Sequence, residues 1–405
     1  MTAVDLKDPD LYAGGMPYAE FAALRAAGSV HWNPEADGAG FWAVLGFDDI
    51  IAVSRQADLF SSAHENGGHR IFNENEVGLT GAGEAAIGIP FISRDPPTHT
   101  QYRRFVMPAL SPARLDGIEA RIAGRIERLF ADVPLNEAVD ILPLLTVPLP
   151  LLTLAELLGV PADMWHDLHR WTDAFVGEDD PDFRQSPEAM AAVMQEFMGF
   201  AAALFDERRA RPGPDIASLL ANTEIHGEPV PIGDFIGNLI LALVGGNETT
   251  RNSINHSLIA FANNPDQWDR VRADPDLLPN AVKEMVRHAS PVIHMRRTAT
   301  RDTELGGQVI RKCDKVVVFY PAGNRDPAIF ADPDRFDVTR PIRQHLAFGA
   351  GVHVCVGSRL AEMQLRLAFA WMARHVRRFE VVGAPRRVRS NFINGFKRLE
   401  VRLVT

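Results

Sequence analysis

The chain has 405 residues, of which 46% are hydrophobic and 23% charged, a composition that can build a large folded core. Its formal net charge of −10 argues against nucleic acid as a partner, because phosphate binding needs an excess of lysine and arginine. No uninterrupted apolar run reaches about 18 residues, and the N-terminus carries no secretory pattern, so we expect a cytoplasmic protein without a membrane span.

The predicted elements begin with short strands, at residues 30–32 and 41–45, where apolar residues alternate. Helical spacing then predicts helices at 118–130 and 190–209. After position 300 the pattern predicts strands at 308–310, 316–320 and 399–404, and a helix at 361–379. Because strand material comes from both ends of the chain without an obvious linker, we expect one domain over residues 1–405.

The longest predicted helix runs from Pro231 to about Asn263. Pro231 suits a helix start, and the Asn-Asn-Pro that begins at Asn263 supplies a stop. About 33 residues at about 1.5 Å each span about 50 Å, so this helix must cross the core. Its middle contains Gly245 and Gly246, which cost about 1 kcal/mol each relative to alanine. We therefore expect another group to approach this backbone closely.

Of the two cysteines, Cys355 is the candidate for chemistry, whereas Cys313 is expected in an exposed turn. Cys355 lies in residues 348–357, Phe-Gly-Ala-Gly-Val-His-Val-Cys-Val-Gly, and helical spacing resumes at Ser358. The glycines permit a tight turn with inward amides, and the following helix adds the positive end of its dipole. Such a site could hold a thiolate that ligates iron. A structural cysteine in a glycine-rich turn is the alternative.

This loop resembles the haem-binding loop of the cytochrome P-450 family, Phe-Gly-x-Gly-x-His/Arg-x-Cys-x-Gly, with every fixed position present. The resemblance implies a mainly α fold with minor β and a long central helix. It also implies haem b as cofactor, with Cys355 as the axial iron ligand and with Phe348 and His353 beside it. The implied activity is a monooxygenase that inserts one atom of O2 into a C–H bond of a small apolar substrate.

Further motifs of the family indicate which groups hold the two haem propionates. Residues 95–103 match Asp-Pro-Pro-x-His-x-x-x-Arg, which places His99 and Arg103 on one helix face. Arg297 fits the family's Arg-x-Ala-x-x-Asp. With His353, these residues are the predicted propionate ligands.

The segment that begins at Glu284 matches the family's Glu-x-x-Arg, with Arg287 as its second charge. The expected partner is Arg335, which lies in a Pro-x-Arg-Phe segment. The resemblance implies that these three residues form a structural ion network behind the cysteine loop.

Residues 245–250 are similar to the family's Ala/Gly-Gly-x-Asp/Glu-Thr-Thr/Ser, in the middle of the long helix. The resemblance implies that Gly245 leaves room for O2 and that Thr249 hydrogen-bonds its distal oxygen. Glu248 would relay protons from solvent. In the alternative, the Thr249 hydroxyl donates to a carbonyl of its own helix and so bends the helix. The two roles of Thr249 do not exclude each other.

The substrate contacts of this family come from dispersed segments, which are mostly apolar here, so the ligand should be apolar. By position, the expected contacts are Phe72, Phe175, Leu241, Val244, Val292, Ile293, His294, Ile393, Asn394 and Phe396. His294 and Asn394 are the polar groups that could meet a substrate hydroxyl. A loop histidine with satisfied hydrogen bonds is the alternative for His294.

Two strings, residues 67–78 and 245–254, look like the bacterial branch of the family that hydroxylates linalool. An acyclic monoterpene alcohol, oxidised at a terminal allylic methyl group, is therefore the expected substrate. Alkanes, other terpenes and steroid side chains are the alternatives.

The chain has no room for a fused reductase, so NAD(P)H electrons must arrive through separate proteins. The resemblance implies a small acidic ferredoxin and its reductase, which would dock on a basic face. The candidates for this face are Arg103, Arg104, Arg343, Arg359 and Arg366.

Two other activities are considered. One is a haem enzyme that uses peroxide or catalyses isomerisation or dehydration, against which Glu248 and Thr249 argue because those routes need no proton relay. The other is a non-catalytic haem-based carrier or sensor of apolar ligands.

Overall fold

The computed structural model describes residues 4–36, 38–72, 87–176 and 179–405, and helices form most of this part of the chain. The helices are α1 Asp10–Ala13, α2 Tyr18–Ala27, α3 Phe47–Arg55, α4 Thr98–Val106, α5 Pro112–Ala131, α6 Pro148–Leu158, α7 Trp165–Val176, α8 Pro187–Ala210, α9 Ile216–Ala221, α10 Ile232–Asn263, α11 Pro265–Ala273, α12 Leu278–Ala289, α13 Tyr320–Gly323 and α14 Ser358–His375. The strands are β1 Val30–Asn33, β2 Phe41–Val44, β3 Phe60–Ser61, β4 Ala138–Asp140, β5 Glu224–Ile225, β6 Glu228–Pro229, β7 His294–Ala299, β8 Thr303–Leu305, β9 Gln308–Ile310, β10 Lys315–Phe319, β11 Arg378–Val381, β12 Arg386–Arg387, β13 Phe396–Arg398 and β14 Glu400–Val404. The mainly α prediction with minor β is confirmed.

The largest sheet joins segments that are far apart in the sequence. Its strand order is β1-β2-β10-β7-β3. Strand β10 runs parallel to β2 and antiparallel to β7, with Val317 opposite both Ala43 and Arg296. A second sheet, β11-β14-β4, pairs the C-terminal strand with residues ahead of α6. Strands from both ends of the chain are therefore built into sheets with distant segments.

Helix α10 crosses the core, as the sequence predicted. It begins directly after Pro231, and its apolar residues Phe235, Leu239, Leu243 and Leu258 are fully buried. The helix packs against α6, α7, α8, α12 and α14, so it contacts most of the helical layer. Because of this position, residues in the middle of α10 are expected to line an internal binding site.

The helix predicted over 361–379 ends earlier in the structure. Helix α14 ends at His375, and Phe379 lies in β11. The Arg377 N–H donates to the Val404 carbonyl at 2.6 Å, so pairing with the C-terminal strand replaces the helical hydrogen bonds. Cys313 lies in an exposed turn with a φ of 72°, which confirms its predicted placement.

Among the described residues, α8 is long and apolar enough to cross a membrane by length and composition, with a mean hydropathy of 1.2. One side of this helix packs against α7, α9 and α10, and Phe197, Ala201 and Leu204 are buried there. Such packing is typical of a helix at the edge of a folded core, so length and composition are weak evidence for a span.

Candidate active site

The cysteine loop brings the thiol of Cys355 to the start of α14. Gly349 and Gly351 have φ values of 69° and 67°, in the left-handed region that favours glycine. A Cβ on Gly351 would lie 1.8 Å from the carbonyl oxygen of Ser54, so no larger residue fits. The Cys355 N–H donates to the Phe348 carbonyl at 2.8 Å and closes the loop.

The Cys355 side chain is accessible, although protein surrounds the sulfur on its other sides. Burial raises the pKa of the thiol, and a backbone hydrogen bond from Gly357 and the charge of Arg103 offset this only in part. The Gly357 amide thus acts on the sulfur in the direction that the sequence predicts, and burial opposes it. A thiol at the start of α14 with a backbone amide directed at it fits a metal ligand.

Nitrogen donors that lack an acidic partner gather beside this loop. The rings of His99 on α4 and His353 lie 4.2 Å apart between centroids. Within the described part of the chain, both ring nitrogens of His99 and Nε2 of His353 are buried without a hydrogen-bond partner. Burial and the charges of Arg103 and Arg297 lower the pKa of His99 to about 4. Unpartnered buried donors beside two arginines fit the carboxylates of haem propionates.

The glycine pair of α10 presents an open stretch of helix surface. No atom from the rest of the described protein lies within 4 Å of a Cβ built on Gly245, and Gly246 makes only ordinary contact with Leu154. The Thr249 hydroxyl donates to the Gly245 carbonyl at 2.8 Å. The back-bonded alternative for Thr249 is therefore observed. The surface at Gly245 is open among the described residues.

Glu248 is buried next to this surface and forms an ion pair with Arg251 one turn further along α10. Burial raises the pKa of the Glu248 carboxyl, although the Arg251 charge lowers it in part. Arg251 also lies 3.9 Å from Asp173 on α7, whose pKa burial raises to about 6. His169 approaches Asp173 to 3.4 Å, and both line an open surface pocket of about 410 Å³.

A chain of titratable and charged groups thus connects the buried Glu248 with solvent. Of these groups only Glu248 had a role predicted from the sequence. Arg251 lies in the string 245–254 without a predicted role, and Asp173 and His169 lie outside every motif.

The Glu284 network has the predicted pair but a different third member. Arg287 and Glu284 are fully buried and form a two-pronged ion pair at 2.7 and 2.8 Å. Arg340, not Arg335, supplies the second guanidinium, with Nε 3.3 Å from Glu284 Oε1. Arg335 is exposed and contributes its backbone carbonyl, which accepts hydrogen bonds from Arg287 and Arg340. The motif therefore indicated the right segment and the wrong side chain.

An apolar pocket lies beside the first half of α10. That helix contributes Gly237, Ile240, Leu241 and Val244. Phe175 and Val176 come from α7, and Phe392 comes from the segment before β13. The polar residues of its lining are His69 and Arg70. The lining includes Phe175, Leu241 and Val244, which the sequence predicted as contacts. It also includes His69 and Arg70, which lie in the string 67–78 but were not among the predicted contacts.

The two polar groups predicted to meet a substrate are committed elsewhere. His294 is fully buried, where its Nε2 accepts from the Ile71 N–H at 3.1 Å and its Nδ1 pairs with the Asn391 carbonyl at 3.0 Å. The Asn394 amide donates to the Ala289 carbonyl at 2.7 Å, and its oxygen accepts from Arg387. Both ring nitrogens of His294 are therefore occupied, which agrees with the alternative of a histidine with satisfied hydrogen bonds. The Asn394 amide keeps one N–H, but neither side chain is in the lining of the pocket beside α10.

The remaining predicted contacts lie outside the lining of this pocket. Ile293 is fully buried in the cluster formed by the N-terminal helices and the main sheet. Ile393 and Phe396 are buried, Phe396 against His256. Phe72 and Val292 are half-buried.

Comparison with known proteins agrees with this site. The family model for Cytochrome P450 matches residues 152–398. Linalool 8-monooxygenase of Pseudomonas putida is 65% identical over 404 residues, with 100% of both chains covered. Cytochrome P450-153 from Novosphingobium aromaticivorans is 36% identical with a TM-score of 0.88, covering 98% of each chain. A Mycobacterium marinum cytochrome P450 in complex with pseudoionone is 33% identical with a TM-score of 0.90, covering 99% of this chain and 98% of that one.

An accessible cysteine in a glycine loop, unpartnered donors beside it and an open helix surface define a haem-thiolate protein. The chain belongs to the cytochrome P450 family. It is an oxidoreductase that incorporates oxygen from O2, with haem as its cofactor and with NAD(P)H-derived electrons supplied by separate redox proteins.

Proposed function

We propose that this monooxygenase hydroxylates linalool, or a close acyclic monoterpene alcohol, at a terminal allylic methyl group. The observation that carries the proposal is the 65% identity with linalool 8-monooxygenase over the full length of both chains. The apolar pocket beside α10 supports it, because burial of a hydrocarbon body contributes about 25 cal/mol per Å².

Under this proposal the sulfur of Cys355 would hold the haem iron, and the hydrogen bond from the Cys355 N–H to the Phe348 carbonyl keeps its loop closed. His99, Arg103, Arg297 and His353 bind the propionates. Bound haem supplies the iron that activates O2 and transfers one oxygen atom to the substrate.

Glu248 and Thr249 are proposed to handle the protons of the reaction. Because the pKa of the Glu248 carboxyl is raised, this carboxyl stays protonated to a higher pH than a carboxyl in water does. It can therefore act as a proton donor. Rotation of the Thr249 hydroxyl away from the Gly245 carbonyl would present its proton to the open helix surface. A carrier or sensor of apolar ligands would need neither group.

We further propose a small acidic ferredoxin and its NAD(P)H-dependent reductase as partners. Arg104, Arg343 and Arg359 are exposed and available for docking. Arg366 pairs with Glu119 at 2.8 Å and would contribute less, as would the half-buried Arg103. We also propose that residues 1–405 form a single cytoplasmic domain that does not bind a membrane. The net charge of −10 supports the further expectation that it does not bind nucleic acid.

Titration of the haem protein with linalool, myrcene, a straight-chain alkane and a steroid tests the substrate. We expect linalool to give the largest low-to-high-spin shift, and turnover with redox partners to give the terminal alcohol. Tighter binding and cleaner turnover of the alkane or the steroid would contradict the substrate assignment. NAD(P)H consumption without any oxygenated product would favour a carrier.

A further inference from the structure

The pocket beside α10 contains a cation with unused hydrogen-bond donors. The guanidinium of Arg70 lies 4.7 Å from the centroid of the Phe392 ring. Its Nε is buried and has no hydrogen-bond partner in residues 4–36, 38–72, 87–176 and 179–405. Over the same residues no ion pair reaches Arg70, so no carboxylate offsets its charge.

Such an arrangement is costly unless a ligand completes it. A cation over an aromatic face gains about 0.5 to 2 kcal/mol, whereas a buried donor without a partner costs about 1 to 3 kcal/mol. The ring of Phe392 therefore positions the guanidinium without satisfying its N–H groups.

Within the part of the chain that the structure describes, the lining of this pocket contains one other polar side chain, that of His69. His69 is bonded through Nδ1 to the Ser93 hydroxyl at 2.7 Å, and burial together with the charge of Arg70 lowers its pKa to about 3. His294 and Asn394 lie outside this lining, where His294 pairs with backbone groups and Asn394 pairs with the Ala289 carbonyl and with Arg387. Among the described residues of the lining, Arg70 is thus the side chain with a buried N–H that has no partner.

We propose that Arg70 binds the hydroxyl oxygen of the substrate and so makes the pocket prefer an alcohol to the matching hydrocarbon. This inference rests on the proposed function, which supplies the hydroxyl. A guanidinium carries only donors, so its ligand must present an acceptor, which linalool has and myrcene lacks. The α10 residues of this pocket precede Gly245 by up to about two turns. A hydroxyl held here leaves the hydrocarbon end free to extend toward the open surface at Gly245.

The test measures binding of linalool and myrcene to the haem protein, by calorimetry and by the spin-state shift. Wild type should bind linalool about 5- to 100-fold more tightly than myrcene, the range that an unpaired buried group implies. Arg70→Met keeps an apolar stem and should reduce this ratio to about twofold or less, because the hydroxyl then loses its partner. Arg70→Lys, which keeps a donor, should restore part of the ratio.

Ile240→Val is the matched control, because it alters the same pocket without touching a donor. It should weaken both ligands by similar factors and leave the ratio unchanged. A ratio that survives in Arg70→Met would overturn the proposal, as would an equal loss of affinity for both ligands, which would indicate a packing role.

Two further arms separate this inference from the proposed function. If wild type does not turn over linalool, the proposed function fails. The role of Arg70 is then tested with decanol and decane, by the ratio of the affinity for the alcohol to that for the hydrocarbon. Geranic acid tests the charge of the ligand. If it binds more tightly than linalool and loses that advantage in Arg70→Met, the natural group is a carboxylate and the alcohol assignment is overturned.

Discussion

The carboxylate of Glu248 pairs with the guanidinium of Arg251 one turn along α10, and both side chains are nearly inaccessible to solvent. Removing one member of a buried pair leaves the other charge without compensation. We expect Arg251→Met to lower the free energy of unfolding by about 3 to 5 kcal/mol. Urea denaturation of the haem protein measures this loss.

The double variant Glu248→Gln with Arg251→Met is the control for this pair. It removes both charges, so it should recover most of the lost stability. If the double variant is as unstable as Arg251→Met, the loss comes from packing rather than from the unpaired carboxylate.

Replacement of Thr249 tests the oxygen-binding segment. Thr249→Ala removes the hydroxyl that now donates to the Gly245 carbonyl, while the backbone of α10 keeps its hydrogen bonds. Haem content and linalool affinity should be retained, but more NAD(P)H electrons should end in hydrogen peroxide and less in product. Thr249→Ser keeps a hydroxyl and should stay well coupled. If wild type and Thr249→Ala convert the same fraction of NAD(P)H electrons into product, Thr249 has no role in oxygen activation. Its hydroxyl then serves only the hydrogen bond within the helix.

Cys355→Ser tests the iron ligand. Cys355 is an exposed residue in the loop that precedes α14, and the Gly357 amide donates a hydrogen bond to its sulfur. The variant should lose the absorption band of the reduced carbon monoxide complex that is characteristic of thiolate ligation. Cys313→Ser, in an exposed turn, should keep this band. A variant at 355 that retains the band would exclude Cys355 as the ligand.

The sequence predicted well those features that depend on short segments. The cysteine loop needs glycine at 351 because a Cβ there would collide with the Ser54 carbonyl. Such a requirement fixes the residue type at that position, so the loop can be recognised as a sequence motif. His99 and Arg103 share a helix face, and four-residue spacing is enough to predict that. The long helix and the strands β1, β2, β9, β10 and β14 follow from the same local periodicity, whereas the other strands, most of them two to four residues long, were not predicted.

Long-range contacts were predicted less well. Arg340 replaces Arg335 beside Glu284 because the chain turns between them, and no local pattern records that turn. Arg70 depends on Phe392, which is more than 300 residues away in the chain. A histidine that is predicted only from its position in the chain can hydrogen-bond either a ligand or the backbone. His294 hydrogen-bonds backbone groups of Ile71 and Asn391.

That assignment of His294 makes acid stability a test of the structure. Burial, together with the nearby charge of Arg70, lowers the pKa of His294 to about 3, whereas the ordinary value is 6.5. Between these pH values the unfolded chain binds a proton that the folded chain does not. The contribution of His294 to stability is therefore present above pH 6.5 and is lost as the pH falls toward 3.

We expect the free energy of unfolding to fall on acidification by up to about 1.4 kcal/mol per pH unit from this residue. His294→Gln keeps a donor and an acceptor but does not titrate, so it should be less stable at pH 7 yet show a shallower slope between about pH 6 and 4. Urea denaturation at a series of pH values measures both slopes. His375→Gln, at an exposed position on α14, is the matched control and should keep the wild-type slope. If His294→Gln also keeps that slope, His294 is not held neutral between Ile71 and Asn391, and its role as a substrate contact would have to be reconsidered.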